Sequence, residues 1–271
     1  MTPHTTLAVI GFGTMGQAIC QGLVETGGLP PERIQAADRH THALQKQAAS
    51  LGITLTGNAA ATARNAEIVL LCVKPRELGE LLEGLQREGA LDHKPLVISI
   101  AAGVGLKFLE EHLPQGTPVI RAMPNTPCSV RCGMTVLSPG HAATEAHLGQ
   151  ARQFFEPLGR VMDLEEKHMD AVTGLSASGP AFIFVILEAL AEGGVQCGLP
   201  RAVAIELAAQ MTLGAASMVL QTGKHPAALK DEVTTPAGCT IAGLLALEDG
   251  RIRSVVARGI ERATQVAAGL G

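Results

Sequence analysis

The chain has 271 residues, long enough for two domains and a substantial buried core. Hydrophobic residues make up 46% and charged residues 17%, the reverse of a disordered chain's balance, and a formal net charge of −4 excludes a broadly basic nucleic-acid binder. With no Trp, no Tyr and only 6 Phe, the composition also argues against an aromatic stacking platform for single strands or proline-rich peptides.

The first half alternates between strand and helix patterns. Residues 7–10 are predicted as a strand, 14–26 as a helix, 33–37 as a second strand and 41–51 as a helix; 53–55 fits a short strand. The continuous apolar run over 67–73 suits a strand buried on both faces. Residues 76–87 place Leu78, Leu81, Leu82 and Leu85 on one helical face. Two more strands, 96–100 and 119–123, flank a helix over 106–113. Such alternation predicts an α/β domain with a parallel, doubly wound sheet of the Rossmann type.

Near residue 165 the pattern turns helical almost throughout, with long Ala- and Leu-rich helices over 182–195 and 201–220 and a last one over 251–268. This divides the chain into a dinucleotide-binding domain, 1–164, and an all-helical domain, 165–271. The 201–220 helix is apolar on most sides, so a small domain cannot bury it alone. A second subunit is expected to complete the core.

Mean hydropathy is positive at +0.25. The longest uninterrupted apolar runs, 68–73 and 181–187, fall well short of the ~20 residues of a spanning helix, which predicts no membrane segment. Residues 1–6 lack the charged start of a secretory signal. The six cysteines are scattered without a C-x-x-C pair, so no metal site is expected, and reduced thiols in a cytoplasmic protein are the simplest reading.

Gly11-Phe12-Gly13-Thr14-Met15-Gly16 fits G-x-G-x-x-G between the first strand and the first helix, the context that a dinucleotide-binding loop requires. The glycines allow a tight turn, a close approach of pyrophosphate to the backbone, and close helix–strand packing. The helix N-terminus offers free N–H groups to the phosphates. Asp38, at the end of the second strand, suits the ribose 2′-OH of NAD, whereas Arg39 beside it suits the 2′-phosphate of NADP. The two signals conflict and leave NADPH and NADH both open. Val73, Lys74 and Pro75 follow a strand end, where ligands bind in open α/β sheets, and Met123 and Pro124 do the same. Asn58 precedes a short helix and is placed to cap it.

Four further segments resemble one family, the pyrroline-5-carboxylate reductases. They are Cys72-Val73-Lys74-Pro75; Arg121 through Pro127 (RAMPNTP); Gly174 through Phe182 (GLSASGPAF) with Gly198-Leu199-Pro200-Arg201; and His225-Pro226 through Leu229-Lys230-Asp231 to Thr234-Thr235-Pro236-Ala237-Gly238-Cys239-Thr240. The resemblance runs in order along nearly the whole chain. It implies NAD(P)H-dependent reduction of a five-membered cyclic imine carboxylate to L-proline, in a homodimer with an interleaved helical domain that can assemble further into a decamer, a pentamer of dimers. It places Asn58 near the adenosine end of the cofactor. It also implies that Thr235 and the N–H groups of Gly238, Cys239 and Thr240 hold the substrate carboxylate, with the Thr240 hydroxyl on the ring nitrogen as the catalytic contact. The physics agrees: a loop of small residues before a helix forms an anion-binding concavity. Thr240 also has an ordinary structural reading, as the N-cap of a helix over 241–247.

Two departures stand out. Many relatives have Gly-Gly where this chain has Ala237-Gly238, and the methyl crowds the loop if position 237 needs positive φ; many have Tyr in place of Phe182. Two other functions compete. Another two-domain imine or keto-acid reductase would need a Lys or His acid, for which Lys167, His168, Lys224, His225 and Lys230 are the candidates. A non-enzymatic NAD(P)H sensor would have no use for the substrate loop.

Overall fold

A computed structural model describes residues 5–270. Residues 1–4, part of the stretch read above as lacking a leader, lie outside the described residues, as does residue 271. By compactness the chain falls into two units: residues up to 178 together with those from 262 onward, and Gly179–Glu261.

The first unit alternates as its sequence predicts. Its elements are β1 (Leu7–Ile10), α1 (Thr14–Glu25), β2 (Ile34–Ala37), α2 (Thr41–Ser50), β3 (Thr54–Thr56), α3 (Ala59–Ala63), β4 (Ile68–Leu71), α4 (Pro75–Arg87), β5 (Leu96–Ser99), α5 (Leu106–Glu111) and β6 (Val119–Met123). Three elements that the sequence reading missed follow: β7 (Gly133–Pro139), α6 (Glu145–Phe155) and β8 (Gly159–Asp163), before the short α7 (Met169–Val172). The sheet order is β3-β2-β1-β4-β5-β6-β7-β8. Strands β1 to β6 pair in parallel, but β7 returns antiparallel to β6. The link from β6 to β7 is one short 3₁₀ turn, Thr126–Val130, too short for a parallel crossover.

Alternation along β1 builds the core on both faces. Leu7 and Val9 join a cluster with Ile19 and Leu23 of α1 and Phe154 and Phe155 of α6. Ala8 and Ile10 face Leu78 and Leu82 of α4 and Leu109 of α5. Both faces are therefore covered by helices, which is why the central strands β1 and β4 are apolar at every position. In register, Ile10 lies opposite Ala37 of β2 and Leu71 of β4, so the carboxyl ends of three strands share one edge.

On β6 a buried arginine meets two partly exposed carboxylates. The Arg121 side chain is 5% exposed and pairs with Glu166 at 3.2 Å and Asp170 at 3.1 Å. Glu166 Oε1 also accepts the N–H of Leu106 at 2.5 Å, the first residue of α5. After α7 the helix widens into a π-turn over Thr173–Ala177. Asn125 donates to the Ser176 carbonyl at 3.3 Å and accepts the Met134 N–H at 2.9 Å, stitching this turn to the end of β6.

The second unit is helical: α8 (Gly179–Gln196), α9 (Arg201–Thr222), α10 (Pro226–Val233) and α11 (Cys239–Asp249); α12 (Ile252–Ala267) begins in this unit and ends in the first. Helix α8 runs through Gly193 and Gly194 to Gln196, within one residue of the predicted end. Helices α8 and α9 pack together. Ala191, Ala204 and Ala208 are buried, and a Cβ at Gly194 would lie 3.1 Å from that of Ala204, so small residues set the close approach. Their other sides are bare: Phe184 is 63% exposed, Leu207 55% and Leu220 60%. By length and composition alone the helical stretches Glu166–Gln196 and Arg201–Thr222 are long and apolar enough to cross a membrane, a test that the core helix of a soluble protein also passes. Glu188 and Glu192 break the run in the sequence without breaking the helix.

Candidate active site

The shared strand edge opens into a cavity of about 860 Å³ in the first unit. Gly11, Gly13, Asp38, Arg39, Asn58, Val73 and Lys74 line it, as the sequence predicts for a dinucleotide. Thr14, Met15 and Gly16 form the first turn of α1 or abut it; these and Pro75, the first residue of α4, stand beside that lining.

The glycine loop fits a bound pyrophosphate. Gly11 has φ of +98°, and a Cβ there would collide with the Cys72 backbone at 2.7 Å. At Gly16 a Cβ would meet the Gly11 carbonyl oxygen at 2.3 Å. At Gly13, by contrast, a Cβ would meet nothing within 4 Å of it. The first and third glycines are thus needed by the fold, and the second keeps open the space a phosphate would fill. No side chain caps α1, so its first N–H groups remain for an anion.

Asp38 holds the loop from the side. Its Oδ2 accepts the Phe12 N–H at 2.8 Å, and its Oδ1 accepts the His40 N–H at 2.8 Å. Both carboxylate oxygens are engaged by backbone, a role the sequence reading did not foresee. Arg39 is exposed and its Nη2 lies 2.7 Å from Glu77 Oε1 on the first turn of α4. Asn58 is the N-cap of α3, accepting the Ala61 N–H at 2.9 Å, so its capping and cavity-lining roles coexist. Lys74 is the N-cap residue of α4, makes no side-chain cap and lines the cavity. Burial pushes the Cys72 thiol up, with Cys20 adding to the push, which disfavours the thiolate.

Met123 and Pro124 are both buried at the end of β6, Met123 in a small cluster with Val136 and Met169. They lie outside the residues lining the cavity, so Met123 supports that strand end from within the core.

In the second unit the predicted substrate loop is a tight turn entering α11. The Gly238 N–H donates to the Thr235 carbonyl at 3.0 Å, with Pro236 second in the turn and Ala237 third at φ of +57°. That is a type II turn, whose third position favours glycine, so the methyl of Ala237 does sit where a left-handed backbone is required. A Cβ at Gly238 would meet Thr235 Oγ1 at 2.4 Å. Two expectations change. The Gly238 N–H is spent inside the turn, which leaves the first-turn N–H groups of Cys239 and Thr240 as the backbone donors. Gly238, and not Thr240, is the N-cap; Thr240 is the second residue of α11, half-buried, with no capping duty to compete for its hydroxyl. Cys239 is exposed.

The acid–base candidates for a different reductase are mostly engaged otherwise. Lys167 pairs with Glu165, Lys224 with Glu232, and Lys230 with Asp231, while His225 Nδ1 accepts the Ala227 N–H at 3.2 Å as the cap of α10. His168 is exposed at the end of a 3₁₀ turn.

Comparison with known proteins identifies the family. The family model described as pyrroline-5-carboxylate reductase dimerisation matches residues 166–270, and that described as NADP oxidoreductase, coenzyme F420-dependent, matches residues 6–103. The pyrroline-5-carboxylate reductase of Methanosarcina acetivorans is 43% identical, over 98% of this chain and 97% of that protein. The solved pyrroline-5-carboxylate reductase of Coxiella burnetii superposes with a TM-score of 0.89 at 34% identity, over 99% of each chain. That of Plasmodium falciparum, solved with NADP bound, gives 0.89 at 26% identity over 100% of each chain. The chain belongs to the pyrroline-5-carboxylate reductase family, NAD(P)H-dependent oxidoreductases that reduce a cyclic imine to proline.

Proposed function

We propose that the first-unit cavity holds NADPH, with NADH as the weaker alternative, and that the Thr235–Thr240 loop anchors the carboxylate of 1-pyrroline-5-carboxylate. The observation that carries this is the spacing of demands on the three glycines: two are filled by the fold and one is left open. The nicotinamide supplies the hydride when bound. A protonated imine is already electrophilic, so this chain's residues need only bind and orient. The N–H groups of Cys239 and Thr240 at the start of α11 hold the carboxylate with the Thr235 hydroxyl, and the Thr240 hydroxyl hydrogen-bonds the ring nitrogen. Arg39 favours NADPH as the partner of a 2′-phosphate, because Asp38 is committed to the loop backbone.

The bare apolar faces of α8 and α9 are read as covered by a second copy, which the match to a dimerisation domain over 166–270 supports. Assembly of dimers into a decamer, a cytoplasmic location and the absence of any membrane association complete the proposal; all six cysteines are free thiols, in keeping with a reducing compartment. The division at residues 164 and 165 follows the change from strands to helices and falls next to the start of that dimerisation match.

The test is the ratio of kcat/KM for NADPH and NADH, measured at 340 nm with pyrroline-5-carboxylate. A ratio above one supports the cofactor assignment, and a ratio below one reverses it.

A further inference from the structure

Arg39 is already partnered. Its guanidinium lies 2.7 Å from the Glu77 carboxylate, and both residues line the cavity. The pair is asymmetric: the Arg39 side chain is 68% exposed and that of Glu77 only 27%, held on the first turn of α4. Glu80 and Glu88, also of α4 or its cap, line the same cavity. Asp38, the acidic residue that the motif would assign to cofactor choice, has both oxygens on backbone N–H groups. The cofactor-discriminating contact therefore moves from Asp38 to whatever controls Arg39.

A 2′-phosphate that approaches Arg39 meets a carboxylate one hydrogen bond away. It must replace that carboxylate or share the guanidinium with it against like-charge repulsion. A ribose 2′-OH, being neutral, leaves the ion pair undisturbed. We propose that Glu77 is a specificity-determining residue, which weakens the chain's preference for 2′-phosphorylated dinucleotides by competing for Arg39. This rests on the reading that the cavity holds an adenine dinucleotide.

The test is isothermal titration of adenosine 2′,5′-bisphosphate and of ADP, at one fixed low ionic strength, into the full-length wild type and the variants Glu77→Gln, Arg39→Ala and the double variant. Both positions are on the surface, and binding is read without turnover. Glu77→Gln is expected to tighten the bisphosphate about fivefold, with less than a twofold change for ADP. On the Arg39→Ala background the same change is expected to give no gain, because the competition acts through the guanidinium. Equal tightening of both probes, or a gain that persists without Arg39, would mean simple charge repulsion and would overturn the proposal. If wild type bound neither probe, the dinucleotide reading itself would have failed and the proposal with it. That outcome is distinct from binding of both probes with an unchanged ratio, which overturns the role of Glu77 alone.

Discussion

The backbone N–H of Phe12 donates to Asp38 Oδ2 at 2.8 Å, tying the glycine loop after β1 to the end of β2. Asp38 therefore shapes the phosphate site before it can touch a ribose. Asp38→Ala is expected to weaken both NADPH and NADH at least tenfold, since two backbone N–H groups lose their acceptor, one of them in the loop itself. Asp38→Asn, which keeps an acceptor oxygen, should lose less. The dissociation constants of the two cofactors measure this; a loss confined to NADH would mean that Asp38 reads the ribose alone.

Thr240 has no capping duty, so its hydroxyl can be assigned to the substrate. Thr240→Ala should lower kcat roughly tenfold or more, and Thr240→Ser should restore most of it. The melting temperature should change little in either variant. An unchanged kcat in the alanine variant would remove Thr240 from the mechanism.

Ala237 holds a left-handed backbone at φ of +57° in the turn before α11. Ala237→Gly relieves a conformation that costs an L-residue about 1 kcal/mol. Urea unfolding should show a stabilisation of up to that size. A destabilised variant would show that the methyl makes a compensating contact.

Arg121 is buried at 5% side-chain exposure between Glu166 and Asp170. Its removal would leave Glu166 and Asp170 without the cation they share. Arg121→Ala is expected to cost about 3 kcal/mol, at the low end for a buried pair because both carboxylates keep some access to water. Arg121→Lys, with one charge but no fork, should recover only part of that. Denaturant midpoints at constant m-value decide it.

The first half of the fold was legible because strand and helix periods alternate cleanly over 7–123, and each helix hides one apolar stripe. The β7–α6–β8 segment was not. β8 is half-exposed at the sheet edge, and the buried β7 mixes Gly, Thr and Ser with its apolar residues, so neither shows the continuous apolar run that marked β4. In the site, the glycine motif, Asn58, Val73 and Lys74 were readable from motif and strand-end position. The task of Asp38 was not, because a carboxylate that caps a loop and one that binds a ribose look the same in sequence. Nor was Glu77 visible as a partner of Arg39, since a helix start and a strand end far apart in the chain meet only in the sheet. A turn over Thr235–Gly238 could have been found, because Pro second and Gly fourth mark one, and it would have predicted the loss of the Gly238 N–H. The positive φ at Ala237 could not, since that pattern is the one favoured by a type I turn, whose third position has negative φ.

Direct hydride delivery to the imine carbon of 1-pyrroline-5-carboxylate is read from the label it leaves in the product. NADPH carrying deuterium at nicotinamide C4, on the face the enzyme uses, is the donor, and the product is analysed by mass spectrometry. L-Proline with a single deuterium on its δ-carbon is expected. Proline without deuterium from either labelled face, or no proline from a folded protein that binds the cofactor, would contradict it.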